Sequence, residues 1–316
     1  MELRGSATMT TGDCLTYPAA EQRSRPSPRR LSVCLCLFAA LLVIAPAVTQ
    51  GQKPSAPAGK EISLRPPFTQ RSRSVGFPWE GQLVRGLRVR ASRYVRYVPE
   101  YASAGRFYGT WQLTQLIERA ARRVAERRPG ARLSLGELSD KQGGDIGGHN
   151  SHESGRDADI GFFMTRTDGR PQGSSTFVQF DARGRAMAPH GGLRFDDVRN
   201  WELVAKLVDD SDARVQYIFV SHGIRQRLLR EAARVNAPAS VVSRAASVMV
   251  EPAHGNPHRS HFHVRIYCPP SDRPSCLEVG PYWAWYPGTP PAPQDGAPPL
   301  ERAALALGMP LSSATN

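Results

Sequence analysis

Histidines crowd into one part of this sequence. The chain holds eight of them in 316 residues, and all eight fall between Gly148 and Val264. Four lie within ten positions, in the stretch "HGNPHRSHFHVRIYC". Histidine nitrogens bind zinc, and an imidazole exchanges a proton near neutral pH. The clustering therefore predicts one site for metal binding, acid–base chemistry, or both.

The stretch "SHFHVRIY" predicts a strand with two histidines on one face. Side chains of a strand alternate between its two faces, so His261 and His263 share one of them. The opposite face is apolar and comprises Phe262, Val264 and Ile266. Two neighbouring imidazoles above a core strand can converge on one ion. The alternative is the exposed polar face of an edge strand, and this stretch alone leaves both open.

Candidate partners for these histidines lie about a hundred residues earlier, in "GHNSHESGRDADIGFF". His152 falls in a Gly-rich loop, and Asp159 follows seven residues later on a short predicted strand. A catalytic zinc site takes three protein ligands and leaves a position for water. His152, Asp159 and His263 would supply two nitrogens and one oxygen, and His261 could take the water's proton. Asp157 shares the face of Asp159 and is its rival as a ligand.

Taken together, "SHESGRDADI" and "HRSHFHVRIYC" resemble the penicillin-insensitive murein endopeptidases. These belong to a wider group of zinc peptidases that includes lysostaphin-type enzymes and D-Ala-D-Ala peptidases. The resemblance covers roughly residues 77 to 270 and includes "YGTWQLTQLI", "LGELSDKQGG" and "RNWELVAKLV". It decides for Asp159 over Asp157. The residues it implies are the zinc ligands His152, Asp159 and His263, the catalytic base His261, and the substrate-binding residues His149 and His258.

The resemblance also implies an activity and a fold. The expected reaction is hydrolysis of the D-alanyl–meso-diaminopimelyl bond that cross-links peptidoglycan stem peptides, with one Zn²⁺ per chain. The expected fold resembles the hedgehog and DD-peptidase domains. Lysostaphin-type enzymes use a shorter H-x3-D spacing, which would require an acid at the position of Arg156.

Helices and short strands are interspersed along the middle of the chain. Apolar residues at helical spacing predict helices in "WQLTQLIERAARRVAERRPG", "DDVRNWELVAKLVDD" and "GIRQRLLREAARVN". Short apolar or alternating runs predict strands in "ARLSLGEL", "ADIGFFM", "VQYIFVS" and "HFHVRIYC". This order predicts one α+β domain over residues 77–283, with a small, mainly antiparallel central sheet and flanking helices.

The two ends of the chain have a different composition. A basic region followed by "LSVCLCLFAALLVIAPAV" predicts a signal peptide over residues 1–47, with an uncleaved N-terminal anchor as the alternative. Residues 48–76 are predicted to be a disordered, basic and Pro-rich linker, and residues 284–316 a Pro-rich tail. We therefore expect export to the periplasm and no membrane span after signal cleavage. "WAWYPG" at the start of the tail would either stack on sugar rings or anchor the tail on the domain.

Two cysteines remain after the predicted signal peptide. Cys268 and Cys276 flank "PPSDRPS". A pair that closes a short Pro-rich loop in an oxidising compartment predicts a disulfide. A zinc pair would require a tighter spacing and further cysteines.

The formal net charge of +13 favours anionic partners. Peptidoglycan is the expected partner, and the predicted signal peptide argues against nucleic acid. A non-catalytic, zinc-containing cell-wall-binding module is the alternative function, although the presence of His261 favours an enzyme. His190, His222 and His254 are predicted to be loop residues rather than ligands.

Overall fold

In a computed structural model of this chain, residues 71–286 are described. The predicted signal peptide lies outside the described residues, as do most of the predicted linker and most of the Pro-rich tail. The strands are β1 (Arg73–Phe77), β2 (Glu80–Val84), β3 (Leu87–Arg88), β4 (Val95–Tyr97), β5 (Tyr108–Gly109), β6 (Leu133–Leu135), β7 (Asp157–Gly161), β8 (Met164–Arg166), β9 (Pro171–Gln172), β10 (Leu193–Phe195), β11 (Val215–Phe219), β12 (Met249–Val250) and β13 (His261–Ile266).

Helices are interspersed with these strands, as the sequence predicts. They are α1 (Pro99–Ala102), α2 (Trp111–Arg127), α3 (Asp197–Val208), α4 (His222–Arg234) and α5 (Ala239–Val248). The three predicted helices correspond to α2, α3 and α4. In the part of the chain that the structure describes, no helix is long and apolar enough to cross a membrane.

Six strands form the central sheet, in the order β12-β11-β13-β7-β6-β4. The middle pairs are antiparallel, and only the two outer pairs, β11 with β12 and β4 with β6, are parallel. The α+β prediction with a mainly antiparallel sheet is therefore confirmed. The two central strands, β13 and β7, carry both predicted halves of the histidine site.

Alternation along β13 explains why the sheet has one apolar and one polar face. Phe262, Val264 and Ile266 are fully buried in the main hydrophobic cluster, which also includes residues of α2 to α5. Burying one such side chain stabilises a fold by about 1.5–3 kcal/mol. The apolar face of β13 is thus fixed against the helices, and this fixes the direction of the histidines on the other face.

Side-chain caps mark where the helices α2 and α3 begin. Thr110 precedes α2, and its hydroxyl accepts a hydrogen bond from the Leu113 N–H. Asp196 precedes α3, and its carboxylate accepts one from the Arg199 N–H at 3.0 Å. A capping side chain of this type contributes about 1 kcal/mol to helix stability. The starting points of α2 and α3 are therefore encoded by local capping residues as well as by apolar spacing.

The first strand begins earlier than the sequence indicates. β1 starts at Arg73, within the segment 48–76 that was predicted to be a linker. Its backbone is fixed by distant residues, since the Ser74 N–H donates to the Asp272 carboxylate at 2.8 Å and the Gly76 N–H to the Ser275 carbonyl at 2.8 Å. For residues 73–76 the linker prediction is wrong, because these contacts are not visible in local composition.

The C-terminal segment packs back onto the sheet. The predicted disulfide joins Cys268 to Cys276, with 5.8 Å between the Cα atoms. Beyond it, the Trp283 indole donates to the Gln216 carbonyl at 2.8 Å, and the rings of Trp283 and Trp285 stack 5.1 Å apart. Both tryptophans pack against the main core. This arrangement favours the anchoring interpretation of "WAWYPG" over sugar stacking.

Candidate metal centre

The register between β7 and β13 brings the two halves of the site together. His263 lies opposite Asp159, and Arg265 lies opposite Asp157. Directly opposed residues of an antiparallel pair project from the same face. Two carboxylates, an imidazole and a guanidinium therefore stand side by side on the polar face of the central sheet.

One carboxylate oxygen lies at the centre of this group. Asp159 Oδ1 is 3.5 Å from His152 Nε2, 3.5 Å from His261 Nε2 and 3.6 Å from His263 Nδ1. These separations are too long for good hydrogen bonds. Two atoms bound at about 2.0–2.1 Å to one tetrahedral zinc lie about 3.4 Å apart. The spacing therefore fits donors arranged around a shared ion.

His149 also reaches the site. Its Nδ1 lies 3.9 Å from Asp159 Oδ2. The donor atoms of His149, His152 and Asp159 all fall within 4.8 Å of one another, so these three form a possible metal group. Among the described residues, this group thus joins two of the predicted ligands to His149, which the resemblance implies to bind substrate, whereas His263 lies near Asp159 but outside the group.

Each of the four imidazoles has one ring nitrogen that faces Asp159, the inner nitrogen, and one that points away from it, the outer nitrogen. The outer nitrogen of each ring has a polar partner. An outer partner fixes the ring and leaves the inner nitrogen for a metal or a proton, as is usual for metal-binding histidines. The contacts are His149 Nε2 to Glu137 Oε2 at 2.9 Å, His152 Nδ1 to the Leu138 carbonyl at 2.9 Å, His261 Nδ1 to Ser260 Oγ at 3.0 Å, and His263 Nε2 to Asp157 Oδ1 at 2.7 Å. All four inner nitrogens face Asp159.

Two atoms that could bind a metal are buried without any hydrogen-bond partner in the described part of the protein. They are His152 Nε2 and Asp159 Oδ1, and these residues are 0% and 3% exposed. Leaving a buried polar atom unsatisfied costs about 1–3 kcal/mol, and more for a charged group. A cation between the two atoms would satisfy both. The residues present therefore fit a metal ion.

The loop that carries His152 is fixed at that position. His152 has a φ of 80°, which lies in the left-handed region that non-glycine residues rarely adopt. Its carbonyl accepts a hydrogen bond from the Ser139 hydroxyl, which in turn accepts one from the Gly155 N–H at 2.9 Å. This backbone conformation turns the imidazole inward.

Asp157 does not lie at the centre of the site. Its Oδ1 accepts hydrogen bonds from His263 Nε2 at 2.7 Å and from Arg265 Nε at 2.6 Å. Burial would raise the pKa of Asp157, but the positive charge of Arg265 and the hydrogen bond from His263 lower it well below its usual range. The geometry therefore separates the two acids: Asp159 faces the imidazoles, and Asp157 orients His263 from behind.

Burial also controls the protonation of the histidines. Burial and neighbouring imidazoles lower the pKa of His258, His261 and His263 to about 4 in each case, although the Asp159 carboxylate acts to raise it. For His152, burial lowers the pKa, but the Asp159 carboxylate outweighs this and the net pKa is raised. A neutral imidazole has a free lone pair, so His258, His261 and His263 suit metal binding or proton acceptance at neutral pH.

Five histidines, His149, His254, His258, His261 and His263, line a cleft of about 280 Å³. His258 lines it, and the loop that it shares with His254 and Asn256 forms one side. Of the predicted loop residues, His254 therefore approaches the site. His222 is instead the first residue of α4, so the loop prediction for it is wrong. Its backbone N–H donates a hydrogen bond to the Glu251 carboxylate.

Sequence reasoning missed the outer partners of the imidazoles. The Leu138 carbonyl is a backbone atom, so no residue type could have revealed it. Glu137 and Ser260 are ordinary polar residues in sequence. Only Asp157 can be found from sequence, because it alternates with Asp159 on one face of the strand. The sequence pattern, however, indicates an alternative metal ligand rather than an outer partner of His263.

Comparison with known proteins agrees with this geometry. The profile of the family described as penicillin-insensitive murein endopeptidase matches residues 85–283, more than half of the chain. A Haemophilus influenzae (strain ATCC 51907 / DSM 11121 / KW20 / Rd) protein named penicillin-insensitive murein endopeptidase is 29% identical over 181 residues. That match covers 56% of this chain and 57% of the relative, so less than two thirds of its length is spanned. On the strength of the family match, the chain belongs to the penicillin-insensitive murein endopeptidase family.

Proposed function

We propose that this protein is a zinc-dependent endopeptidase that hydrolyses D-alanyl–meso-diaminopimelyl cross-links in peptidoglycan. One observation carries the proposal: three imidazole nitrogens lie 3.5–3.6 Å from Asp159 Oδ1 in a polar cleft. Family membership supports peptidoglycan as the substrate.

We assign the metal to His152, Asp159 and His263. Three protein ligands leave a fourth position for water, as in other catalytic zinc sites. His149 belongs to the compact metal group by distance, but its side chain is 22% exposed and lies farther from Asp159 than the others. We therefore assign His149 to the substrate side of the cleft, where a variant can lose it without losing the metal.

His261 is the proposed general base. When bound, zinc supplies Lewis-acid activation of a water and of the scissile carbonyl. His261 Nε2 faces the same point as the ligands, but its outer nitrogen contacts the Ser260 hydroxyl rather than a carboxylate. A hydroxyl can donate or accept, so the ring can gain and lose a proton. With its pKa lowered to about 4, His261 is neutral and able to accept the proton of the water at Nε2.

The proton then returns to the substrate. His261 Nε2 donates it to the leaving amine, so that the base of the first step becomes the acid of the second. His258 packs edge-on against His261, with 5.0 Å between ring centroids, and its Nδ1 is buried without a hydrogen-bond partner in the described part of the chain. We assign His258 to holding the substrate or the developing oxyanion, once it carries a proton at that nitrogen.

Periplasmic action fits the other features of the chain. A disulfide between Cys268 and Cys276 is typical of oxidising compartments. Peptidoglycan is the proposed partner, and no role is assigned to nucleic acid. The predicted signal peptide would deliver the domain to this compartment.

Digestion of purified cross-linked muropeptides, followed by mass analysis, tests the proposal. We expect dimers to be converted to monomers through cleavage at the D-alanyl–meso-diaminopimelyl bond. EDTA should abolish the conversion, added Zn²⁺ should restore it, and penicillin should have no effect because no serine nucleophile is involved. Intact dimers after prolonged digestion by the zinc-loaded protein would favour the non-catalytic cell-wall-binding module instead.

A further inference from the structure

An aromatic ring that the reaction scheme does not use lies flat against the proposed base. Phe177 and His261 stack with 4.6 Å between ring centroids and 19° between planes. Phe177 belongs to the irregular segment between β9 and β10 and is half-buried. Its ring covers one face of His261, and no apolar run or motif in the sequence predicts this contact.

Two glycines leave the space that this ring occupies. A Cβ atom at Gly136 would stand 2.4 Å from Cζ of Phe177, and one at Gly161 would stand 2.9 Å from its Cε1. Neither glycine has a positive φ, so the backbone conformation does not require glycine at either position. Gly161 lies directly opposite His261 in the β7–β13 register. The missing side chains therefore serve the fit of Phe177 beside His261.

The Phe177 ring has a second aromatic neighbour, and its segment is held by backbone hydrogen bonds. Tyr101 packs against it, with 4.9 Å between centroids. The segment itself is tied down at Ser175, whose carbonyl accepts from the Glu100 N–H at 3.0 Å, and at Phe180, whose N–H donates to the Arg259 carbonyl at 2.9 Å. These contacts restrain the Phe177 ring and its segment, so the ring can act as a wall beside His261.

His261 depends on such a wall for its orientation. Its other neighbours include Asp159 Oδ1, which lies 3.5 Å from Nε2, the Ser260 hydroxyl at Nδ1 and the edge of His258. A single hydroxyl contact permits the imidazole to turn about its side-chain torsions, because terminal ring torsions are broad. The two proposed histidine ligands, His152 and His263, would lack this freedom, since a bound ion would fix the inner nitrogen of each ring.

We propose that Phe177 is a positioning residue, which holds the His261 imidazole with Nε2 directed at the reacting water. This inference rests on the proposed function. A misplacement of about 1 Å at a reacting group can cost about 100-fold in rate. Loss of the Phe177 ring should therefore lower kcat by about 10- to 100-fold while changing KM by less than about 3-fold, because the orientation matters in the transition state and not in substrate binding.

The test compares Phe177→Leu with a matched control in the same segment, Phe180→Leu. Phe180 is a buried core ring that does not stack on His261. We expect Phe177→Leu to keep stoichiometric zinc and lose kcat on cross-linked muropeptides. Phe180→Leu should lower the melting temperature and keep the kcat of the folded fraction. An unchanged kcat in Phe177→Leu, or a loss of its zinc, would overturn the proposal.

A second variant displaces the ring without altering it. The three atoms nearest to a Cβ added at Gly161 are Cε1 and Cδ1 of Phe177, at 2.9 and 3.0 Å, and Cβ of Ser134, at 3.3 Å. Gly161→Ala should therefore lower kcat as Phe177→Ala does, and the double variant should be no worse than Phe177→Ala alone, because both changes act through one contact. Additive losses would contradict a shared route through the ring.

A spectroscopic measurement separates this inference from the proposed function. In zinc-loaded protein with labelled histidine, we expect one sharp set of His261 ring resonances. Phe177→Leu should shift and broaden them, and those of His152 should stay unchanged. Unaltered His261 resonances would refute the positioning role even if the wild-type protein cleaved no muropeptide, whereas inactive wild-type protein with altered resonances would sink only the proposed function.

Discussion

His263 Nε2 lies 2.7 Å from Asp157 Oδ1, and this contact directs the other ring nitrogen of His263 toward Asp159. The same carboxylate oxygen accepts from Arg265 Nε at 2.6 Å, so Asp157 is fixed from two sides. Two acids only two positions apart therefore perform different tasks. Asp159 faces the proposed ion site, and Asp157 sets the orientation of His263, a proposed ligand.

Asp157→Asn should weaken zinc binding without removing it. An amide keeps the shape of the carboxylate but lowers the basicity it confers on His263, and changes of this kind typically cost about 10- to 100-fold in metal affinity. The measurement is competition with a chelator of known affinity. The control, Asp159→Asn, should lose stoichiometric zinc entirely. Wild-type affinity in Asp157→Asn would show that the contact does not tune the ligand.

The ligand assignment predicts different zinc contents for three alanine variants. His152→Ala and His263→Ala should each lose stoichiometric zinc and activity, because each removes one of three protein ligands. His149→Ala should keep its zinc and bind substrate less well. Elemental analysis of the purified variants decides this. Full zinc in His152→Ala or His263→Ala would refute their assignment, and loss of zinc in His149→Ala would place that ring among the ligands.

Replacing the proposed base should separate metal binding from turnover. His261→Ala should retain one zinc per chain while its kcat on cross-linked muropeptides falls by about 100- to 10,000-fold, the usual contribution of a general base. Zinc content and kcat are measured on the same preparation. Undiminished turnover would exclude His261 as the base, and absent zinc would indicate that His261 is a ligand.

Parts of the site could be predicted from sequence because strand geometry has an exact period of two. Alternation alone places His261 and His263 on one face and Phe262, Val264 and Ile266 on the other, which packs in the main hydrophobic cluster. The choice of Asp159 over Asp157 as their partner required the resemblance, since the register between β7 and β13 joins residues about a hundred positions apart.

Other parts could not be predicted because they depend on long-range contacts. β1 is held through Ser74 by the distant Asp272, in a stretch whose Gly and Pro content is typical of a linker. The helix α5 has Val and Ser at many positions, which are weak helix formers, and it forms because Val241, Ala245 and Val248 are buried. Stacking of Phe177 on His261 likewise exists only in three dimensions.

Removing the disulfide should affect stability and not the metal site. Cys268 and Cys276 close a loop with a sequence separation of 8. Loop-closure entropy for this length gives about 2–3 kcal/mol of stabilisation. The double variant Cys268→Ser with Cys276→Ser should lose about that much free energy of unfolding in a denaturant titration while keeping its zinc. Unchanged stability would mean that the packing of Trp283 and its neighbours suffices.

The most direct test of the central claim is a crystal structure of the purified protein with anomalous data collected on both sides of the zinc absorption edge. The account predicts one zinc peak within bonding distance of His152 Nε2, Asp159 and His263 Nδ1, with His261 Nε2 beside the open position and not bonded. A peak coordinated by His261 or by Asp157, or no anomalous peak in this cleft, would contradict it.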